Sequence, residues 1–565
     1  MSKKEKLKQD YQEIKNFKEL VERYKEYDSN VAFKFKQKGK IIDITYKQFS
    51  EDIRALGTAL LSLGIDKIAV IGNNRYEWCT TYLGVTSAGK IIVPLDKALT
   101  SKEIEKLVKR SGAQAIVFED KYKEAVENCD LEYKFCMDEY FEAKGATKYK
   151  DLLQQGYDLL KRDYDEYDKV QIDKDEMSVL LFTSGTTNEP KGVKLSQYNL
   201  CSQISVLWKH QPIYKEDTLL SFLPIHHTFE STITFLYGTY AGATIAFCEG
   251  LKYIAQNLKD YKVTVFVAVP LVLETMYKKI QKGIEDSGKK AAIDKLRKVS
   301  NALLKMHIDV RKTLFKPVLK QFDEYLRVVL YGAAPMDKDT IIGYNEFGIE
   351  LTQGYGLTEA APVIATETEK LKKPGSIGIP LPNVKVKIKD PNEEGIGELL
   401  AQGPNIMLGY YENEEATKKA IDDEGWLHTG DFAYIDKEGY IFITGRQSDI
   451  IVLRNGKNIY PQELEFLINK LPYVEESMVY ARNKTKTDTV LCAKIVYDKE
   501  KMQDKFGKQK DYQELVWKDI KEINKELSTY KHIKEIVLTD TPLEKTTTQK
   551  VKRYVEIKKT EKQLS

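Results

Sequence analysis

Metal knuckles and redox motifs are missing from this chain. Its six cysteines, Cys79, Cys129, Cys136, Cys201, Cys248 and Cys492, are scattered, with no C-x-x-C and no Cys/His spacing. That excludes a structural zinc site and points to a reducing compartment. An excess of one charge is missing too. Lys and Arg number 88 against 85 Asp and Glu, a net charge of +3, so there is no general polyanion-binding field and no nucleic acid partner is expected. No apolar run is long enough to span a bilayer: the longest, Val263 to Leu273, is broken by Thr264 and Pro270. Met1 to Asp10 is charged and lacks the apolar core of a secretory signal. Internal repeats, low-complexity linkers and a carrier-protein segment are absent as well. The expectation is a cytoplasmic protein.

What is present is ordinary globular material, 42% hydrophobic and 31% charged over 565 residues, too long for one core, so at least two domains are expected. From residue 67 the pattern alternates strand and helix. Strands are expected at Lys67–Gly72, Ile91–Leu95, Ala115–Phe118, Ala243–Phe247, Val263–Val269 and Arg327–Tyr331. A helix through Trp78 and Tyr82 is expected to be capped by Asn73 or Asn74 and ended by Gly89, and Thr100 with Glu103 forms a capping box for a helix ending near Gly112. Buried strands separated by helices predict α/β architecture with largely parallel sheets. Residues 285–325 are expected to be helical, with Leu296, Val299, Leu303 and Leu304 at helical spacing among many basic residues. Two readings stay open for this block: a helix packed on the body with a charged face in water, or a surface that meets anionic membrane. Near Gly445 the composition shifts to a small α+β region of about 120 residues, with a helix at 461–470, strands near 474–481 and 490–496, and a helix at 512–526.

The most informative string is residues 180–195, Leu-Leu-Phe-Thr-Ser-Gly-Thr-Thr-Asn-Glu-Pro-Lys-Gly-Val-Lys-Leu. A strand-like run delivers the hydroxyls of Thr183, Ser184, Thr186 and Thr187 around Gly185, and Lys191 follows. Hydroxyl donors, free N–H groups and one cation suit a polyphosphate. The string is not a Walker loop, because Lys191 precedes Gly192 and no Gly-Lys-Ser/Thr opens a helix. Taken alone it is also compatible with a hairpin that binds nothing.

The string resembles the phosphate loop of the adenylate-forming superfamily, with Asn188 where relatives usually have Gly. Four further segments follow in that family's order. Gly354-Tyr355-Gly356-Leu357-Thr358-Glu359 resembles the segment in which the aromatic stacks on adenine, the threonine contacts the α-phosphate and the glutamate holds Mg²⁺. Tyr331-Gly332-Ala333-Ala334-Pro335 resembles the adenine turn, with Ala333 in place of a second glycine. Trp426 to Asp431 resembles the segment whose aspartate accepts the ribose hydroxyls, and Arg446 would add a cation nearby. Pro542 to Arg553 resembles the lysine segment near the chain end, which places the catalytic lysine at Lys550, with Gln549 replacing a glycine. Between the 180–195 string and the Tyr331 turn, Pro224-Ile225-His226-His227-Thr228-Phe229-Glu230 matches a Leu-Pro-x-x-His segment, which puts His227 near the substrate carboxylate. Singly, each has a plain structural explanation, such as a core tyrosine, a turn aspartate or a solvated lysine. Together, in order over about 370 residues, they make coincidence implausible.

The resemblance implies a large N-terminal α/β domain with layered sheets, residues 1–445, and a mobile C-terminal α+β domain, residues 446–565, joined by a hinge. Ser448 stands where relatives carry Asp or Lys. It implies ATP, Mg²⁺ and coenzyme A as cofactors, with Glu359 as metal ligand and Thr183 in the metal region. The catalytic set would be Lys550, Thr358, Glu359 and His227, with Thr183, Ser184, Gly185, Thr186, Thr187, Lys191, Gly332, Ala333, Ala334, Pro335, Tyr355, Gly356, Asp431 and Arg446 binding ATP. The stretch Gly425 to Asp431, the helical block and Gly456 to Pro461 also look like bacterial long-chain fatty acid–CoA ligases. The expected substrates are therefore a medium- to long-chain fatty acid, ATP and CoA, with peripheral contact at the inner membrane face left open. The alternatives are an acyl-AMP ligase that loads a carrier protein, a CoA ligase for an aryl or short-chain acid, and a silent acyl-nucleotide sensor.

Overall fold

A computed structural model describes residues 12–183, 190–322, 325–334, 336–452, 458–483, 489–509, 511–545 and 551–564. The chain forms two compact units, Met1–Val386 with Ala401–His428, and Lys387–Leu400 with Thr429–Ser565.

The larger unit carries two sheets with parallel centres. One sheet of eight strands runs through Thr147–Lys148, Tyr133–Cys136, Ala115–Phe118, Lys67–Ile71, Ile91–Pro94 and Met177–Thr183, all parallel, and closes with antiparallel Lys191–Ser196 and Gly409–Tyr410. The other, of nine strands, has Val31–Gln37, Thr244–Phe247, Thr218–Ser221, Val265–Ala268, Val328–Tyr331 and Glu350–Gly356 in parallel, flanked by antiparallel edge strands. Runs such as Val265–Ala268 are wholly buried, as strands covered on both faces must be.

The capping box forms as read: Thr100 Oγ1 accepts from Glu103 N, the Glu103 carboxylate accepts from Thr100 N, and Gly112 ends the helix Ser101–Ser111 in the left-handed region. The asparagine caps do not. The helix Tyr76–Ser87 starts after Arg75, because both asparagines have tertiary partners. Asn73 Nδ2 donates to Glu119 Oε2 at 3.1 Å, and Asn74 Nδ2 donates to Ser221 Oγ at 2.9 Å and Leu223 O at 2.7 Å.

The helical block begins earlier than residue 285, at Pro270, where proline suits the first turn; it comprises Pro270–Asp286, Lys290–Lys305, Arg311–Leu314 and Lys316–Phe322. Leu296 and Val299 are exposed in it. Lys290–Lys305 packs instead through Ile293, buried Ser300 and Arg297, whose guanidinium lies 4.5 Å from the centre of the Phe347 ring.

The smaller unit holds most of a four-stranded sheet, Lys385–Lys389, Gly397–Gln402, Leu427–Ile435 and Ile441–Arg446. Beyond it, Val474–Asn483, Thr489–Tyr497 and Ile533–Thr539 form a three-stranded sheet, with a core of Leu464, Ile468, Val479, Ile495, Val516 and Ile520 from strands and helices. The last helix, Arg553–Leu564, is tied to this sheet by a buried ion pair, Lys494 Nζ to Glu556 Oε2 at 2.8 Å.

Candidate active site

Four separated segments of the larger unit meet at one place. The strands Val328–Tyr331 and Glu350–Gly356 are parallel neighbours with Tyr331 opposite Gln353, so the turns that leave them emerge side by side. A Cβ on Gly332 would stand 2.9 Å from Gly354 O and 3.6 Å from the Phe229 ring, so these backbones touch because glycine is there. Phe229 belongs to the His227 segment, which is thereby the third member. Gly356 is held still closer, since a Cβ on it would stand 1.7 Å from Pro362 O. Ala333 lies at φ +73°, a left-handed conformation that glycine adopts more readily.

The hairpin Met177–Ser196 joins through a short relay. Thr183 pairs with Lys191 across its last rung, and Thr183 Oγ1 donates to Lys191 O at 3.4 Å. Lys191 Nζ lies 4.8 Å from the centre of the Tyr410 ring, and the Tyr410 hydroxyl donates to Glu359 Oε1 at 2.9 Å. Burial, then the Glu359 charge and hydrogen bond, push the Tyr410 pKa up, so the phenol stays a donor. Ser184, Gly185, Thr186, Thr187 and Asn188 lie outside the described residues, as does Pro335. Thr358 and Glu359 form a 3₁₀ turn with Ala360, whose carbonyl accepts from Gln203 Nε2 at 2.8 Å and Asn405 Nδ2 at 3.0 Å. Tyr355 is half-buried beside exposed Gly356.

Around His227 the structure adds residues that sequence reasoning had not assigned. The His226 and His227 rings lie 4.2 Å apart, and His226 Nε2 is 3.4 Å from Asp96 Oδ2. Glu230 is wholly buried; it accepts from Ser221 Oγ at 2.6 Å and Thr234 Oγ1 at 2.9 Å, yet desolvation pushes its pKa up to about 8. It opens a buried π-helix, Glu230–Tyr237. Asp96, His226 and His227 offer donor atoms within 4.8 Å of one another. Such an imidazole-rich set suits a transition metal more than Mg²⁺, whose preference for oxygen fits the Glu359 carboxylate and substrate phosphates.

In the smaller unit, Asp431 is buried and pairs in register with Arg446; Arg446 Nε lies 3.2 Å from Asp431 Oδ1. Thr429 Oγ1 accepts from Asp431 N at 3.1 Å and donates to Leu399 O at 2.7 Å. Ser448 is exposed in a 3₁₀ turn, Gln447–Asp449. Lys550 lies outside the described residues, but both flanks of its segment are anchored. Lys545 pairs with Val551 as an isolated bridge and reaches Glu476 at 2.5 Å; Arg553 reaches Glu465 at 2.6 Å and Asp449 at 3.4 Å.

Residues 20–411 match the family model described as AMP-binding enzyme, and 448–565 match its C-terminal domain. The chain belongs to the AMP-binding enzyme family. Among relatives of this AMP-binding enzyme, long-chain-fatty-acid–CoA ligase FadD15 of Mycobacterium bovis is 27% identical, over 77% of this chain and 75% of that protein. Long-chain-fatty-acid–CoA ligase 6 of Mus musculus is 27% identical, over 85% and 74%. A chloroplastic long-chain-fatty-acid–[acyl-carrier-protein] ligase of Arabidopsis thaliana, AEE15, is 26% identical, over 89% and 78%. Solved structures share the fold. The anthranilate CoA ligase AuaEII with anthranoyl-AMP has a TM-score of 0.77 at 19% identity, covering 98% of each chain. ATP-bound MatB from Rhodopseudomonas palustris has 0.74 at 22%, covering 96% of this chain and 99% of that one.

Proposed function

We propose that this AMP-binding enzyme activates a medium- to long-chain fatty acid as acyl-AMP and transfers the acyl group to CoA, releasing pyrophosphate and then AMP. The observation that carries the reading is the meeting of the 183–191 hairpin ends, the Gly332 turn, the Gly354–Glu359 segment and the His227 segment in one unit. Tyr355 with the Gly332–Ala334 turn would receive adenine. Thr183, Lys191 and the intervening hydroxyls would receive the β- and γ-phosphates, and Thr358 the α-phosphate. Mg²⁺ bound at Glu359 would offset charge on the phosphates. His227 would stand at the substrate carboxylate, which attacks the α-phosphorus in line as pyrophosphate leaves.

Asp431 and Arg446 would hold the ribose, and Lys550 would supply positive charge to the transferring group. The hinge would lie at Gly445–Ser448, between residues 1–445 and 446–565. Rotation there would withdraw Lys550 and admit the thiol to the acyl-adenylate carbonyl.

Carrier-protein thiol as acceptor is the second reading, favoured by the Arabidopsis relative, whose name specifies an acyl carrier protein. Purified enzyme with ATP, Mg²⁺ and palmitate is expected to release pyrophosphate, and CoA to consume the adenylate. Consumption by holo-acyl carrier protein alone would decide for the second reading, and no pyrophosphate release with either palmitate or octanoate would exclude both. Peripheral membrane contact is proposed as well, because the substrate is itself a membrane lipid component.

A further inference from the structure

The helix Lys290–Lys305 turns an apolar row to solvent. Ala292, Leu296, Val299, Leu303 and Met306 follow the three-and-four spacing of one helical face, Leu303 half-buried and the others exposed. Val299 is 54% exposed and Met306 68%, with Leu296 at 36% and Ile308 just beyond at 48%. One position earlier along the same spacing stands a second row, Lys295, Lys298, Ala302 and Lys305, all exposed. A third row, Ile293, Arg297 and Ser300, faces the body of the unit. There Arg297 lies over Phe347, and neighbouring Asn301 Nδ2 donates to Glu346 Oε1 at 2.7 Å. The helix is thus already attached by another side, and its apolar row is not its packing face.

The charge pattern selects the occupant. Nearby acids are engaged: Asp294 lies 3.7 Å from Arg297, Glu285 pairs with Lys290 at 2.6 Å, and Asp309 pairs with Arg311 at 2.7 Å. Among the described residues, Lys295, Lys298 and Lys305 form no ion pair. A helix that faces water puts charge outward, and single exposed apolar residues are common, but a continuous row of them beside a row of lysines is the pattern of an interfacial helix. Its apolar side chains enter the acyl boundary while the lysines meet negative headgroups.

We infer that this outward face docks the enzyme on an anionic lipid surface. The inference deepens the fatty-acyl reading, on which it rests for its purpose: a lipid-docked enzyme meets a substrate that partitions into the bilayer. Its test is separate.

Full-length protein is sedimented with vesicles of phosphatidylcholine containing one part in three of phosphatidylglycerol, and with vesicles of pure phosphatidylcholine. The wild type is expected to bind the anionic vesicles and to be released as salt rises from about 0.1 to about 0.5 M. Each lysine near such a surface contributes about 5-fold in partition, so Lys295→Gln/Lys298→Gln/Lys305→Gln is expected to lower it about 100-fold. Val299→Asp/Met306→Asp is expected to abolish binding. These exposed positions leave the core intact, so both variants should keep pyrophosphate release with octanoate. Equal binding to both vesicle types, or unchanged binding by both variants, overturns the inference. So does a dimer in sedimentation velocity that Val299→Asp/Met306→Asp dissolves, since a second copy would then own the face. If octanoate and palmitate both failed as substrates while anionic vesicles still bound, the fatty-acyl reading would fall and the docking surface would stand.

Discussion

Ala333 holds a backbone conformation at φ +73° that costs an alanine roughly 1–2 kcal/mol. Ala333→Gly removes that cost and returns about 0.4–1 kcal/mol of it to the entropy of the unfolded chain. A small net gain in thermal stability is therefore expected, with ATP affinity kept. Glu230 is the other residue whose environment forces a prediction. Its folded pKa is raised to about 8, well above that of an exposed glutamate. Below about pH 4 both folded and unfolded states are protonated there. As pH rises to about 8 the unfolded chain ionises while the folded one keeps its proton, so stability falls across that window, by roughly 5 kcal/mol in all. Glu230→Gln keeps the shape without the titration. Urea midpoints measured from pH 4.5 to 9 are expected to be flatter for the variant, and parallel curves would rule the account out. Asp431 and Arg446 are paired at 3.2 Å on neighbouring strands. Asp431→Ala is expected to weaken ATP binding chiefly, and an unchanged affinity would remove it from the ribose contacts.

At the scale of elements, the Gly354–Glu359 segment has the least room. Gly356→Ala would drive a methyl group into Pro362 O, and the displaced segment would misplace Thr358 and Glu359. A shift of about 1 Å is enough for a loss near 10²-fold in pyrophosphate release. Tyr410→Phe is gentler: it deletes one hydrogen bond to a charged partner, about 1.5–3 kcal/mol, and is expected to raise the Mg²⁺ requirement about tenfold or more with little change in melting. Segments of this kind were legible in advance where local chemistry decides the structure. The buried strands, the Thr100–Glu103 box and the hydroxyl-bearing hairpin all depend on neighbours in the chain. Asn73 and Asn74 misled because Glu119 and Ser221, far along the chain, take their amides. Tyr410 carries no local signal at all, and it reaches Glu359 only because Gly409–Tyr410 is an edge strand beside Lys191–Ser196. Asp96 likewise meets His226 only after two separate strands have been laid into their sheets.

For the whole molecule, the decisive experiment concerns Lys550. Lys550→Ala is expected to abolish adenylate formation and to leave thioester formation from supplied acyl-adenylate largely intact. Equal loss in both halves would contradict a charge that serves the first half alone. Arg553 offers a companion test, because it fastens the helix after that segment to Glu465 and Asp449, the latter next to Ser448. Arg553→Ala strands two carboxylates, a cost of about 3 kcal/mol expected in the melting of the smaller unit. Gln203 and Asn405 each grip the same two carbonyls, those of Ala360 and Val363. That double clasp sets the loop bearing Glu359 in place whether or not a nucleotide has arrived. On the proposed reading, ATP would meet a Glu359 loop that is already held, and little affinity would be lost to ordering that loop around it.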